Sequence, residues 1–290
     1  MSTAAPGPVE ARILADLAPT FRVRHADARG GTLRILEGGD GPPIVLLHGR
    51  GNAATSWYPL LPALATMGRV LAVDLPGFGA SHGHHFDGGG VEAAIDFFAG
   101  PIESWLLAEG VTAPAIVGHS LGGLVTLELA LRRRVAPRAI VPIAPMGTGP
   151  EISLAARLFF RAGPERLARA LGSTLFARLT GSTDPRAAAL SFELLTVPGG
   201  RRDAVAAFDT LVPLAGPAPH RRDRLGSIDI PALILAGDHD EVFPAPLFIA
   251  AAATLPRGEL RLLPLGHSPH TEAPDRVLPV LRAFLTAQIK

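Results

Sequence analysis

The chain has 290 residues, 48% hydrophobic and 18% charged, with 27 basic against 26 acidic side chains and no cysteine. Without a thiol there is no disulfide scaffold, thiolate zinc site or cysteine nucleophile, so the fold must rest on a buried core, which this length readily supplies. The only lysine is Lys290, which removes a Walker-type phosphate loop and a Schiff-base lysine, and a formal charge of +1 leaves no basic face for nucleic acid. The first twenty residues lack a basic start and a continuous apolar stretch, and no apolar run approaches the ~18 residues a bilayer span needs. The expectation is a soluble cytoplasmic protein without a leader or membrane span.

In chain order, Thr20 to Ala26 and Thr32 to Glu37 read as a strand pair turned at Arg29-Gly30-Gly31. Six further runs follow: Pro43 to Leu47, Val70 to Asp74, Ala115 to Val117, Ala139 to Ala144, Ala232 to Ala236 and Glu259 to Leu263. They are apolar without alternation, as strands buried on both faces of a mostly parallel sheet are. Helical patterns lie between them at Trp57 to Met67, Val91 to Glu109 (with Gly100-Pro101 a candidate break), Leu121 to Arg134, Pro246 to Leu255 and Asp275 to Gln288. The expected architecture is α/β, a sheet of about eight strands with helices on both faces. Between Met146 and Ile228 the rhythm breaks into helical pieces without a buried strand, at Ile152 to Arg161, Pro164 to Leu179 and Asp203 to Val212. Residues 1–145 and 229–290 are therefore expected to form one core, with 146–228 a helical lid inserted after its sixth strand.

Gly118-His119-Ser120-Leu121-Gly122 fits G-x-S-x-G, the pattern of a nucleophilic serine on a strained strand-to-helix turn. A second match, Gly79-Ala80-Ser81-His82-Gly83, follows its strand at a distance and precedes a glycine- and histidine-rich stretch that cannot open a helix, so Ser81 reads as a loop residue. Ser120 follows Ala115-Ile116-Val117 directly and opens a helix with arginines in its last turn, which complement the helix dipole. Downstream, one strand runs into Gly237-Asp238-His239-Asp240 and the next into Gly266-His267. Both place a titratable group past the carboxyl end of a strand, where ligands bind in open α/β sheets, in the chain order Ser, Asp, His.

With Leu47-His48-Gly49-Arg50-Gly51 and the run Asp74 to Ser81, these motifs resemble the α/β-hydrolase superfamily from about Thr20 to the C-terminus. The resemblance implies Ser120 as nucleophile, Asp240 as acid with Asp238 the alternative, and His267 as base, followed by Glu272-Ala273-Pro274. His270 is the weaker competitor, read as a partly exposed loop histidine. The resemblance also implies an oxyanion hole from the backbone N–H groups of Arg50 and Leu121. His48, Gly49, His119 and Trp57 are candidate substrate contacts, although both histidines read as scaffolding by default. The Arg50 side chain has two readings, a carboxylate clamp or a structural ion pair at the cleft edge.

His82, His84 and His85 crowd near Asp87 but lack a helical ligand face, so no metal and no cofactor are expected. Phe159, Phe160, Phe176, Phe192 and Phe208 suit a lid with an apolar underside or one that merely coheres, and the lid's 11 arginines against 7 acidic residues are too slight an excess to name an anionic substrate. The function expected is hydrolysis of a carboxylic ester, thioester or lactone of a small to medium, mainly apolar small molecule through an acyl-serine. The alternatives are C–C hydrolysis of a ring-cleavage product, which HGRGNAATSW resembles, and ligand binding with little turnover on the same fold. Nothing in the sequence sets an oligomeric state.

Overall fold

The computed structural model describes residues 5–180, 184–197 and 201–289. Eight strands form one sheet: β1 (Phe21–Ala28), β2 (Gly31–Gly38), β3 (Pro43–Leu47), β4 (Arg69–Val73), β5 (Ala115–His119), β6 (Ala139–Ile143), β7 (Ala232–Gly237) and β8 (Gly258–Leu263), in the order β1-β2-β4-β3-β5-β6-β7-β8. The β1–β2 and β2–β4 pairs are antiparallel and every other pair is parallel. Because side chains alternate along a strand, β3 sends Val45 and Leu47 into one core and Ile44 and Leu46 into the other. The first core is closed by Phe97, Phe98 and Trp105 of helix Gly90–Ala108, Leu124 and Leu127 of Leu121–Arg132, and Phe248 of Ala245–Thr254. The second is closed by Ile13 and Leu17 of helix Pro8–Leu17, Trp57, and Val277, Leu281 and Leu285 of Pro274–Ile289.

Three local expectations are corrected, and one helix is added to them. The helix expected over Trp57 to Met67 is a 3-10 turn, Ala54–Trp57, followed by a short helix, Leu61–Ala65. Helix Gly90–Ala108 runs unbroken through Pro101, since buried Phe97, Phe98, Ile102 and Trp105 hold it to the sheet on both sides of the ring. That packing outweighs the roughly 3 kcal/mol a mid-helix proline costs. β8 is the sheet's last strand and none of its residues is fully buried, so it is an edge strand, its Glu259 and Arg261 at home there. Helix Pro8–Leu17 precedes the first element expected.

Between β6 and β7 the described residues hold no strand. Helices Leu154–Ala162, Pro164–Leu179 (kinked at Gly172), Pro185–Thr196, Arg202–Leu211 and Arg222–Leu225 fill that stretch. Phe159, Phe176 and Phe192 cluster with Leu195 among themselves, while Phe208 joins the main core. No helix among the described residues is long and apolar enough to cross a membrane.

Candidate active site

β5 delivers Ser120 at its carboxyl end, and helix Leu121–Arg132 leaves at once. The turn forces Ser120 to φ 52°, ψ −111°, a conformation costing about 1–3 kcal/mol for a residue with a side chain. Three backbone bonds hold it: Ser120 N–H donates to Ile143 O, and Ser120 O accepts from Leu124 N–H and Met146 N–H, at 2.9 to 3.1 Å. The tight turn also explains Gly122, where a Cβ would lie 2.2 Å from the Leu47 carbonyl oxygen.

Ser120 Oγ lies 3.1 Å from His267 Nε2, and His267 Nδ1 lies 2.8 Å from Asp240 Oδ2. The Asp240 side chain is fully buried, and its other oxygen accepts the N–H groups of Val242 and Phe243, so the loop after β7 fixes the carboxylate before it meets the imidazole. Asp238, the alternative acid, is exposed beside His239. The backbone around His267 is pinned at three points. Gly266 N–H and Ser268 N–H donate to the two oxygens of Glu272, and His119 Nε2–H donates to the His267 carbonyl.

His48 shapes the opposite wall. Its Nε2 accepts from Leu75 N–H at 2.9 Å, so the ring proton sits on Nδ1 and is donated to Gly49 O at 2.7 Å. A trans peptide points its N–H opposite its C=O, so this bond turns the Arg50 N–H away from the His48 ring. Among the described residues neither Arg50 N–H nor Leu121 N–H has an acceptor. Burial pushes His48 down to about 4, against the pull of Asp74 and Gly49 O, which keeps the ring neutral.

His48, His119 and Trp57 are each at most 3% exposed, and Trp57 Nε1 and His119 Nδ1 are buried without a hydrogen-bond partner among the described residues. Gly49 runs beside Ser120, and a Cβ on it would sit 3.3 Å from Ser120 Cβ. His270 is buried, not a partly exposed loop residue: its ring lies 4.5 Å from Trp57 and 4.4 Å from His119. Burial, reinforced by the charge of His267, lowers His270 to about 3. Burial and then the charges of His270 and His267 hold His119 well below the usual imidazole range. The Arg50 side chain makes an ion pair with Glu165 of helix Pro164–Leu179. Ser81 is a buried loop residue donating to Asp74 O. His84 is buried while His85 faces Asp203 from the surface, and no group of three or more metal-ligating side chains occurs among the described residues.

Sequence reasoning gave no task to Glu272, Glu165 or Arg201. Only Glu272 left a signal, a carboxylate five residues after the histidine. The arrangement is that of a polarised hydroxyl with a base behind it and two N–H groups beside it, which suits attack on a carbonyl carbon.

An alpha/beta hydrolase family model matches residues 44–280, and the chain belongs to that family. It is 31% identical over 259 residues to the magnesium-chelatase 30 kDa subunit of Rhodobacter capsulatus, covering 81% of this chain and 84% of that one. It is also 31% identical over 259 residues to pimeloyl-[acyl-carrier protein] methyl ester esterase of Xanthomonas campestris pv. campestris, covering 86% and 97%. The 2-hydroxy-6-oxo-2,4-heptadienoate hydrolase of Pseudomonas putida is 29% identical over 223 residues, covering 71% and 75%. Among solved structures, esterase RhEst1 from Rhodococcus sp. ECU1013 superposes with a TM-score of 0.72 at 26% identity, covering 92% and 99%. The protein is an α/β-fold hydrolase.

Proposed function

We propose that the chain hydrolyses carboxylic esters of small to medium, mainly apolar character through an acyl-Ser120 intermediate. The observation that carries this reading is the unbroken Asp240–His267–Ser120 hydrogen-bond chain together with two backbone N–H groups, of Arg50 and Leu121, that have no acceptor among the described residues. His267 Nε2 takes the hydroxyl proton as Ser120 Oγ attacks the carbonyl carbon, and Asp240 holds the tautomer and stabilises the imidazolium. The N–H groups of Arg50 and Leu121 stabilise the oxyanion. The proton passes to the departing alcohol, and His267 then activates the water that releases the acid. Thioesters and lactones suit the same groups. The helical insertion serves as a lid, a role supported by its direct ion pair to the loop that carries the oxyanion N–H.

The test is fluorophosphonate labelling of Ser120 together with turnover of p-nitrophenyl esters of graded acyl length. Ser120→Ala and His267→Ala are each expected to lower kcat by about 10⁴ or more, whereas His270→Ala leaves Ser120 reactive toward the label. No labelling and no turnover would sink the reading. The similarity to the Pseudomonas putida hydrolase favours a second reading, C–C cleavage of a dienoic ring-cleavage product, and assay of that compound beside the esters separates the two.

A further inference from the structure

The sheet ends at β8, which has a strand on one side only, β7. Two hydrogen bonds fix its phase. Ala232 N–H donates to Arg257 O and Asp238 N–H to Leu263 O, and in a parallel ladder the residues that bond to a given neighbour alternate. Arg257, Glu259, Arg261 and Leu263 therefore turn their backbone groups to β7, while Gly258, Leu260 and Leu262 turn theirs to the open side. Gly258 N–H is taken by Leu255 O. The N–H groups of Leu260 and Leu262 and the carbonyls of all three residues are left for another strand. The edge is uncovered, with Gly258, Glu259 and Arg261 exposed and Leu260 and Leu262 half-buried.

The side chains suit one partner, a second copy of the chain. When β8 is paired with itself, antiparallel about a two-fold axis at Leu260, the two Leu260 residues exchange N–H···O bonds. Each Leu262 N–H then meets the other copy's Gly258 carbonyl. The same axis sets each Glu259 opposite the other copy's Arg261, in the closer, non-hydrogen-bonded positions where opposite charges attract across strands. Neither residue has an ion-pair partner in its own chain among the described residues. Moving the axis to Glu259 or to Arg261 would set like charges face to face, so the charges select the register.

The helix over this edge supplies a second observation. Ala245–Thr254 packs on β7 and β8, contains no charged residue and is apolar all round, the pattern of a fully buried helix. Leu247, Phe248, Ala251 and Ala252 are buried, yet Pro246, Ile249 and Ala253, three and four residues apart on one face, are exposed, Ile249 by 50%. Leu260 and Leu262 lean into the core beneath this helix, so Glu259 and Arg261 stand on the opposite face of the strand. A two-fold axis perpendicular to the sheet keeps each face on its own side and brings the two copies' apolar helices side by side.

We propose that two copies of the chain join edge to edge through β8, antiparallel about Leu260, into one continuous sheet with helices Ala245–Thr254 adjacent over the junction. The interface is self-complementary and closes at two copies. It stands independently of what Ser120 turns over.

Sedimentation equilibrium of the full chain is expected to show a dimer at micromolar concentration. Glu259→Arg and Arg261→Glu each turn two attractive pairs into repulsive ones and should raise the dimer Kd by about tenfold or more, while the double exchange restores opposite charges and the original Kd. Leu260→Pro removes the N–H that the copies exchange but none that β7 uses, so it should give a folded monomer. In hydrogen exchange the Leu260 and Leu262 amides should slow as protein concentration rises, while those of Glu259 and Arg261, bonded to β7, stay protected throughout. Monomer at every concentration overturns the proposal, and so does a dimer indifferent to both single reversals, which would lie on another face. Reversals that weaken the dimer without recovery in the double exchange overturn the register at Leu260.

Discussion

Glu272 shows how one side chain sets the position of another through the backbone alone. Its carboxylate takes the N–H groups on either side of His267, so the imidazole hangs from a backbone that cannot slide. Glu272→Gln keeps only one good acceptor, and a loss of about ten- to a hundredfold in kcat with smaller change in KM is expected, since misplacing a catalytic group by about 1 Å costs that much. Retained Ser120 labelling, at a slower rate, would distinguish mispositioning from unfolding. The buried imidazoles give a second prediction. His48 and His270 sit at about 4 and about 3 in the fold, below the ordinary 6.5, so the unfolded chain binds their protons first. Their contribution is fully present above about pH 6.5 and is lost as pH falls toward their folded values, at roughly 1.4 kcal/mol per pH unit for each. Thermal melts at pH 7, 5.5 and 4.5 should show stability dropping on acidification, and His270→Asn should make the decline shallower. An unchanged slope in that variant would remove His270 from the explanation.

At the scale of elements, the strands of the sheet were legible as apolar runs, and Ser120, Asp240 and His267 were legible because each stands just after a strand, in motifs of fixed local spacing. What escaped depends on partners far away in the chain. Helix Pro8–Leu17 has Val9, Ile13 and Leu17 at helical spacing, yet its N-cap is Gly7, which has no side chain to cap with. The cap comes from Glu193, on helix Pro185–Thr196, whose two oxygens accept Val9 N–H and Glu10 N–H at 2.8 Å. A Cβ on Gly7 would lie 2.2 Å from Glu193 Cδ, so the residue that looks like a poor start is the one that admits the real cap. At the other end Arg186 pairs with Asp16, and the two helices run antiparallel. Glu193→Ala should cost about 1–2 kcal/mol by denaturant unfolding, the usual worth of a lost cap. Gly7→Ser, a favourable cap in an isolated helix, should destabilise here. Burial of His270 and the Arg50–Glu165 pair escaped for the same reason, since local sequence does not say which loop will lie above another.

Across the molecule, a buried charge cluster ties the wall formed by His48 to Arg50 to the rest. Asp74, fully buried just after β4, accepts Arg34 from β2, Ala54 N–H at the start of the 3-10 turn, and Ala80 N–H. Arg34 also reaches Glu10 in helix Pro8–Leu17, which in turn accepts Thr55 Oγ1–H. Both carboxylates raise Arg34 above its ordinary value, against the burial that opposes its charge. Asp74→Asn leaves the guanidinium without its main counter-charge, and a loss of about 3–5 kcal/mol in unfolding free energy is expected. A loss below 1 kcal/mol would mean the cluster is no more than a surface pair in effect. The same connectivity orders the chain in time. The two N–H groups capped by Glu193 wait for a carboxylate 183 and 184 residues further on, and contacts between such distant segments form late because the intervening loop must close first. During synthesis the first helix therefore emerges long before its cap, and in refolding followed by pulsed hydrogen exchange its first-turn amides should gain protection after those of β3 and β5. A helix made early would then be the one that finishes the fold.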